Sequence, residues 1–172
     1  MSAVTAPATA DVAEHVSQFD ALFADHYARL VRALTLVAGD REVAADAVQE
    51  AFVRAHLRWR KIGRYDDPIG WVRRVAINQI RDAHRRHERK SRALRRLASR
   101  ETTVAHPVEP DDFGRLLAAL PTQQRAATAL YYVDRLSIAE IAIALGIAEG
   151  SVKSHLHDAR RRLKALLEGE RS

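Results

Sequence analysis

Between Ser137 and Leu163 the chain reads SIAEIAIALGIAEGSVKSHLHDARRRL, two helical periodicities separated by a single glycine. Ile138, Ile141, Ala142 and Leu145 recur on one helix face, Gly146 interrupts them, and a second periodic run begins near Glu149. Ser137 followed by Glu140 is a capping box, which gives the first helix a defined start. Ala142 is small where a second helix must cross closely, Gly146 suits the left-handed backbone of a sharp turn, and Val152 can fill the angle between the helices. The spacing therefore predicts a helix-turn-helix, and such a pair needs further helices to cover its apolar stripe.

Turning each residue of the second helix by about 100° sorts it into three faces. Val152, Leu156, Ala159, Leu163 and Leu167 form the stripe expected to be buried. Lys153, His157, Arg160, Arg161 and Lys164 form a basic flank suited to phosphates, while Ser151, Ser154, His155 and Asp158 make a short polar face near the N-terminus. In a DNA-reading helix that polar face meets base edges in the major groove. A solvated amphipathic helix with ordinary surface charge is the alternative, and the agreement of turn, cap and face segregation favours DNA.

The rest of the chain reads as helices too, so the fold expected is all-α. Its 172 residues suffice for one domain or two small ones, and 47% hydrophobic with 29% charged residues is a globular composition. Two units would leave the core divided. A formal net charge of +6 favours a polyanionic partner, either nucleic acid or an anionic membrane surface. With no cysteine, disulfides and thiolate metal sites are excluded. The N-terminal MSAVTAPATADVAEHV lacks the basic start and apolar core of a signal peptide, and no run approaches the roughly 18 apolar residues of a membrane span. A soluble cytoplasmic protein is expected.

Residues 1–16 carry no sustained pattern and are expected to form a mobile extension. From Ser17 the positions Phe19, Leu22, Phe23, Tyr27, Leu30, Val31 and Leu34 fall on one face, and Gly39 ends that helix. A second helix starts about Asp40 and buries Val43, Ala44, Ala47, Val48, Ala51, Phe52 and Ala55. Its other side shows Asp46, Gln49 and Glu50, an acidic patch that is either a solvated face or the contact for a basic partner. RWRKIGRYDDP reads as a loop, with Pro68 well placed near a helix start. Beyond it Val72, Val75, Ala76 and Ile80 are expected inside, while Arg74, Asn78, Arg81 and Arg85 line another face. Trp59, Tyr65 and Trp71 stand among arginines, where aromatics can stack on unpaired bases or simply fill a core.

The stretch from Arg81 to Arg100 holds nine basic residues against Asp82 and Glu88, a local net charge of +7. His84 and His87 are spaced to share a metal, but so many arginines oppose a cation, and no metal site is expected. Helix is expected to end near Ser99, and ETTVAHPVEPDD then reads as a linker. After it, Phe113, Leu116, Leu117 and Leu120 form a short helix, and a longer one after Pro121 leads to Ser137. The domain division read from these patterns is an extension over 1–16, a helical unit over 17–92, a linker over 93–110 and a helix-turn-helix unit over 111–168. No carboxylate cluster, glycine-rich phosphate loop or nucleophile with an adjacent base stands out, so neither an enzyme, nor a cofactor, nor a small-molecule substrate is expected.

DAVQEAFVRAH (Asp46 to His56), PIGWVRRVAINQIRDAHRR (Pro68 to Arg86) and LPTQQRAATALYYVDRLSIAEIAIALGIAEGSVKSHL (Leu120 to Leu156), in this order, resemble the bacterial extracytoplasmic-function sigma factors. The resemblance implies a subunit that binds core RNA polymerase, recognises promoter DNA and helps to melt it. It implies that Asp46, Gln49 and Glu50 dock on the polymerase. It also implies that Asn78 captures a flipped base of the melted element, with Trp71, Arg74, Gln79, Arg81 and Arg85 near that strand. Lys153, Ser154, His155 and His157 match the helix that reads the upstream element, alongside Ser151, Asp158, Arg160 and Arg161. Many members are held by an anti-sigma protein, which makes one a further candidate partner. Two positions depart from the pattern: Ala148 stands where a capping hydroxyl is common, and Asp158 where a basic residue is common. SVKSHL also resembles the output helix of LuxR-type regulators, the rival reading, but the first hundred residues lack a receiver's alternation of strands and helices.

Overall fold

The computed structural model describes residues 7–97 and 112–169, and every regular element among them is a helix. Helix α1 spans Pro7–Ala38, α2 Arg41–Leu57, α3 Trp59–Ile62 and α4 Pro68–Leu97; then come α5 Asp112–Ala118, α6 Thr122–Tyr132, α7 Ile138–Leu145 and α8 Glu149–Gly169. Their boundaries follow from local chemistry. Gly39 takes a left-handed φ of 74° and its N–H donates to the Thr35 carbonyl at 2.8 Å, closing α1. Asp40 then caps α2, accepting from the N–H groups of Glu42 and Val43 at 2.8 and 3.1 Å. Pro68 opens α4 as expected, with the Asp67 carboxylate accepting from the Gly70 N–H at 2.8 Å. A Cβ at Gly70 would lie 1.9 Å from an Asp67 oxygen, so glycine permits this cap.

Three sequence expectations need correction. Helix α1 starts at Pro7, so 7–16, expected to be a mobile extension, is helical; residues 1–6 lie outside the described residues. The stretch expected to be a loop contains α3, which places Trp59 and Ile62 in the core. Helix α4 continues through 93–97, while 98–111, most of the expected linker, lies outside the described residues.

A divided core was the remaining expectation, and the packing differs. Helices α1, α2 and α4 form one bundle around Leu30, Leu34, Val48, Val72 and Ile77, and α5 to α8 form another around Leu117, Leu130, Ile141, Val152 and Leu156. Yet α1 also packs on α6 and α4 on α7, and all these side chains belong to one continuous buried cluster. Small residues suit α6 to this central place: Ala126, Ala127 and Ala129 are buried, and a helix with small side chains can accept neighbours on several sides. Two helical units linked in sequence thus share one interior.

Candidate nucleic-acid interface

The predicted turn has the geometry its residues dictate. Ser137 accepts from the Glu140 N–H at 3.2 Å, and the Glu140 carboxylate accepts from the Ser137 N–H at 2.7 Å. These bonds hold the Glu140 carboxyl below its ordinary range. Gly146 is left-handed at φ 66°, and the Ile147 N–H returns to the Ala142 carbonyl at 3.1 Å. Val152 fills the corner and is fully buried.

Along α8, Val152, Leu156 and Ala159 are buried and Leu163 is half-buried, but Leu167 is exposed, so the apolar stripe ends a turn earlier than its pattern suggests. Ser151, Lys153, Ser154, His157 and Arg161 lie exposed, whereas His155 and Asp158 are half-buried. Ser154 donates its hydroxyl to the Gly150 carbonyl at 3.1 Å, which leaves its oxygen to accept. Asp158 faces Arg161 at 3.8 Å, so the aspartate that departs from the common pattern is partly offset by its own helix. Arg160 is tied down: its Nε donates to the Tyr132 hydroxyl at 3.0 Å and its guanidinium lies 5.7 Å from the Tyr131 ring centre. The Tyr132 bond raises its already high pKa. At Ala148 the carbonyl accepts from Ser151 and Val152, and the side chain offers no oxygen to cap the helix.

Helix α4 brings Trp71, Arg74, Asn78, Arg81 and Arg85 into one stripe, because steps of three and four residues return to the same face. Arg74 and Asn78 are exposed, and Trp71 is half-buried. Arg85 is exposed but bonded to Asp82, whose carboxyl that hydrogen bond lowers. Gln79 is turned about 100° from Asn78 and is half-buried off the stripe. Arg81 donates to the Leu145 carbonyl at 2.7 Å, so it is engaged by the C-terminus of α7. Trp59, one of the stacking candidates, packs edge-on against Phe19 at 5.3 Å and is buried, so it belongs to the core. Tyr65 remains exposed beside the start of α4.

The sequence reading missed an ion cluster behind this stripe. Arg73 donates to Asp134 at 2.6 Å, with the two side chains only 5% and 2% exposed, and Arg29 of α1 approaches the same carboxylate at 3.3 Å. The readable signal was an arginine inside the apolar face made by Val72, Ala76, Ile77 and Ile80. Such an arginine must find an anion when buried.

On α2, Asp46, Gln49 and Glu50 are all exposed, and Glu50 pairs with Arg54 at 2.7 Å. Val53 and Leu57 stand on the same face, with Leu57 78% exposed. Their spacing of seven and eleven residues from Asp46 returns them to the same side of the helix. A face that joins carboxylates to bare aliphatic side chains suits protein docking better than solvation alone. Among the described residues no group of metal-binding side chains gathers, and no helix is long and apolar enough to cross a membrane.

Residues 22–90 match the family model of Sigma-70 region 2, and residues 111–163 that of Sigma-70, region 4. The chain is 37% identical over 158 residues to the ECF RNA polymerase sigma factor SigM of Mycobacterium tuberculosis, covering 87% of this chain and 76% of the relative. It is 36% identical over 160 residues to SigL of the same species, covering 86% of this chain and 88% of the relative. Among solved structures it resembles the sigma factor RpoE in complex with the anti-sigma factor NepR from Bartonella quintana, with a TM-score of 0.69, 23% identity and coverage of 87% and 96%. It also resembles CnrH in complex with the cytosolic domain of CnrY, with a TM-score of 0.59, 27% identity and 88% coverage of each chain. The match over 22–90 accounts for the half of the molecule that a LuxR-type regulator leaves unexplained, and that rival reading is set aside. Two sigma regions in order, with relatives matched over most of their length, lead to one conclusion: the chain belongs to the ECF RNA polymerase sigma factors.

Proposed function

We propose that this sigma factor divides promoter-directed initiation among three faces. The α2 face of Asp46, Gln49 and Glu50, extended by Val53 and Leu57, docks on core RNA polymerase. The α4 stripe takes the melted strand, and the exposed start of α8 reads the upstream duplex. The corresponding domains run over 17–92 and 111–168, the first lengthened by the early start of α1, with 93–110 as connector. The protein works in the cytoplasm as a binding subunit, with no catalytic group or cofactor of its own. An anti-sigma protein is a further partner, since both structural relatives are held by a second protein.

The observation that carries this reading is the α4 stripe. Trp71 offers a ring, Arg74 a cation and Asn78 an exposed amide within two helical turns of one another. Stacking on an aromatic contributes about 1–3 kcal/mol per base, which offsets the few kcal/mol of unpairing. Duplex DNA exposes no base face, so a stripe of this kind favours the open strand, while α8 supplies the duplex reader that such a surface lacks.

Reconstitution with core polymerase and sequencing of transcript starts tests the whole. New promoter-specific starts that depend on the added protein are expected. Tight binding of one duplex site by the free chain, with no new starts, would overturn it.

A further inference from the structure

One charge on the outward side of α8 has the wrong sign for a helix that meets DNA phosphates. Asp158 is the only acidic residue between Glu149 and Glu168, and five lysines and arginines stand in the same interval. Glu149 lies in the first turn, where the helix dipole favours a negative charge. Asp158 has no such excuse, because it sits in the third turn of a 21-residue helix, away from both ends. Its ion-pair partner, Arg161, is 3.8 Å away, too far for a hydrogen bond, and the two side chains are 42% and 75% exposed. A pair so open to water contributes little to the fold. The carboxylate therefore keeps its lone pairs unspent, and the folded chain gains little from holding it there.

What it can gain lies in the groove. At about 100° per residue, Asp158 stands within roughly 40° of the exposed Ser154, one turn back, and away from the buried stripe of Val152, Leu156 and Ala159. Ser154 gives its proton to the Gly150 carbonyl at 3.1 Å, so its oxygen, like the carboxylate, is left to accept. This part of the helix thus shows a duplex two acceptors one turn apart. In the major groove a carboxylate is satisfied only where a base offers an amino group, cytosine through N4 or adenine through N6. Adenine sets its N7 acceptor beside that amino group, and a carboxylate approaching N6 also meets N7. Cytosine has no acceptor of its own beside N4, which makes it the better partner. Opposite any other base the same charge lies among phosphates and acceptor atoms and is repelled. The residue weakens binding to most sequences and is relieved at one.

We infer that Asp158 sets specificity at one base pair of the upstream element, its carboxylate accepting from the N4 amino group of a cytosine and repelling the other bases at that place. The inference rests on α8 as the reader of the upstream duplex. Discrimination at a single base pair by one contact of this kind is about ten-fold.

The test assembles the full chain with core polymerase, lets it transcribe a promoter library randomised in the upstream element, and sequences the templates that yield RNA. One base pair is expected to be C·G in a fixed orientation, favoured about ten-fold over its reverse. Asp158→Asn keeps the size of the side chain but adds N–H donors, and an amide reads adenine through N6 and N7 together. The preference at that base pair should therefore move to A·T, with adenine on the strand that carried the cytosine. Asp158→Ala should flatten the preference there and leave the other positions unchanged. It should also raise binding to duplexes without the cytosine a few-fold, more at low salt than at high, because the repulsion goes with the charge. Helical content by circular dichroism is expected to be the same in all three chains. Preferences identical in all three, an A·T pair favoured by the unaltered chain at the responding position, adenine on the guanine's strand in Asp158→Asn, or both variants weakened on all sequences alike would each overturn the role of Asp158 and leave α8 as the reader. An unaltered chain with no preference at any upstream base pair overturns the α8 reading, and this inference with it.

Discussion

At the scale of single residues, Asn78 and His26 make opposite demands. Asn78 is exposed and bonds to nothing else among the hydrogen bonds described, so its amide is available for a base edge. Asn78→Ala should reduce open-complex formation about ten-fold, the loss of one or two good hydrogen bonds, and leave duplex binding by α8 intact. Permanganate footprinting of the melted strand checks it, and equal loss of duplex binding would count against base capture. His26 is half-buried, and burial, then the nearby Arg29, lower its pKa from 6.5; its Nδ1 lies 2.9 Å from the Arg29 guanidinium, with Asp25, Arg73 and Asp134 also near. The folded chain therefore binds fewer protons than the unfolded one. Stability should be unaffected by this group above pH 6.5 and should fall as the pH drops below it, until the lowered folded-state pKa is passed. Tm measured against pH should show a shallower decline in His26→Gln, and identical slopes would remove His26 as the cause. Sequence alone shows both residues but neither role, because Asn78 announces itself by its place on a stripe whereas His26 depends on neighbours from α4 and the α6–α7 turn.

At the scale of helices, caps and periodicities were legible because they are local. Ser137, Glu140 and Gly146 carry their conformations within a few residues, and the helix they bound runs from Ile138 to Leu145 as the pattern requires. Trp59, left open between stacking and core, Arg73, which drew no notice, and Leu167, expected inside, show the converse. Whether an aromatic stacks on a base or fills a core, and whether an arginine faces solvent or a carboxylate 61 residues away, is decided by tertiary neighbours that periodicity does not contain. The outward face of α2 shows how the two kinds of signal combine. Asp46 and Glu50 supply charge, and Leu57, the most exposed large apolar side chain among the described residues, supplies area that folding leaves unburied. Reversing both charges with Asp46→Lys and Glu50→Lys should weaken capture of core polymerase at least ten-fold at low salt, more steeply than at high salt, since exposed charges are screened. Leu57→Ser should weaken it with little salt dependence. Pull-down on immobilised polymerase across a salt series reads both, and capture unchanged in either variant would return α2 to an ordinary solvated surface.

At the scale of the whole molecule, two sequence-separated regions with one interior make a definite claim about folding. A helical unit of about 60 residues buries only about 60% of its unfolded surface and is marginal by itself. The C-terminal bundle, α5 to α8, has that size, and α1 and α4 pack on its α6 and α7 within the common cluster. Lone units would melt separately, the weaker first. A shared core instead couples them, because separating α6 from α1 exposes alanine and leucine surface that neither half can cover. Thermal unfolding of the intact chain should therefore be a single transition, with calorimetric and van't Hoff enthalpies in agreement. In Asp134→Leu, where the ion cluster no longer holds α7 on α4, the transition should split, the helix-turn-helix half melting first by several degrees, as expected where a ΔΔG of about 1 kcal/mol moves Tm by roughly 4–8 °C for a domain of this size. Two transitions already present in the unaltered chain would mean that the halves touch without cooperating.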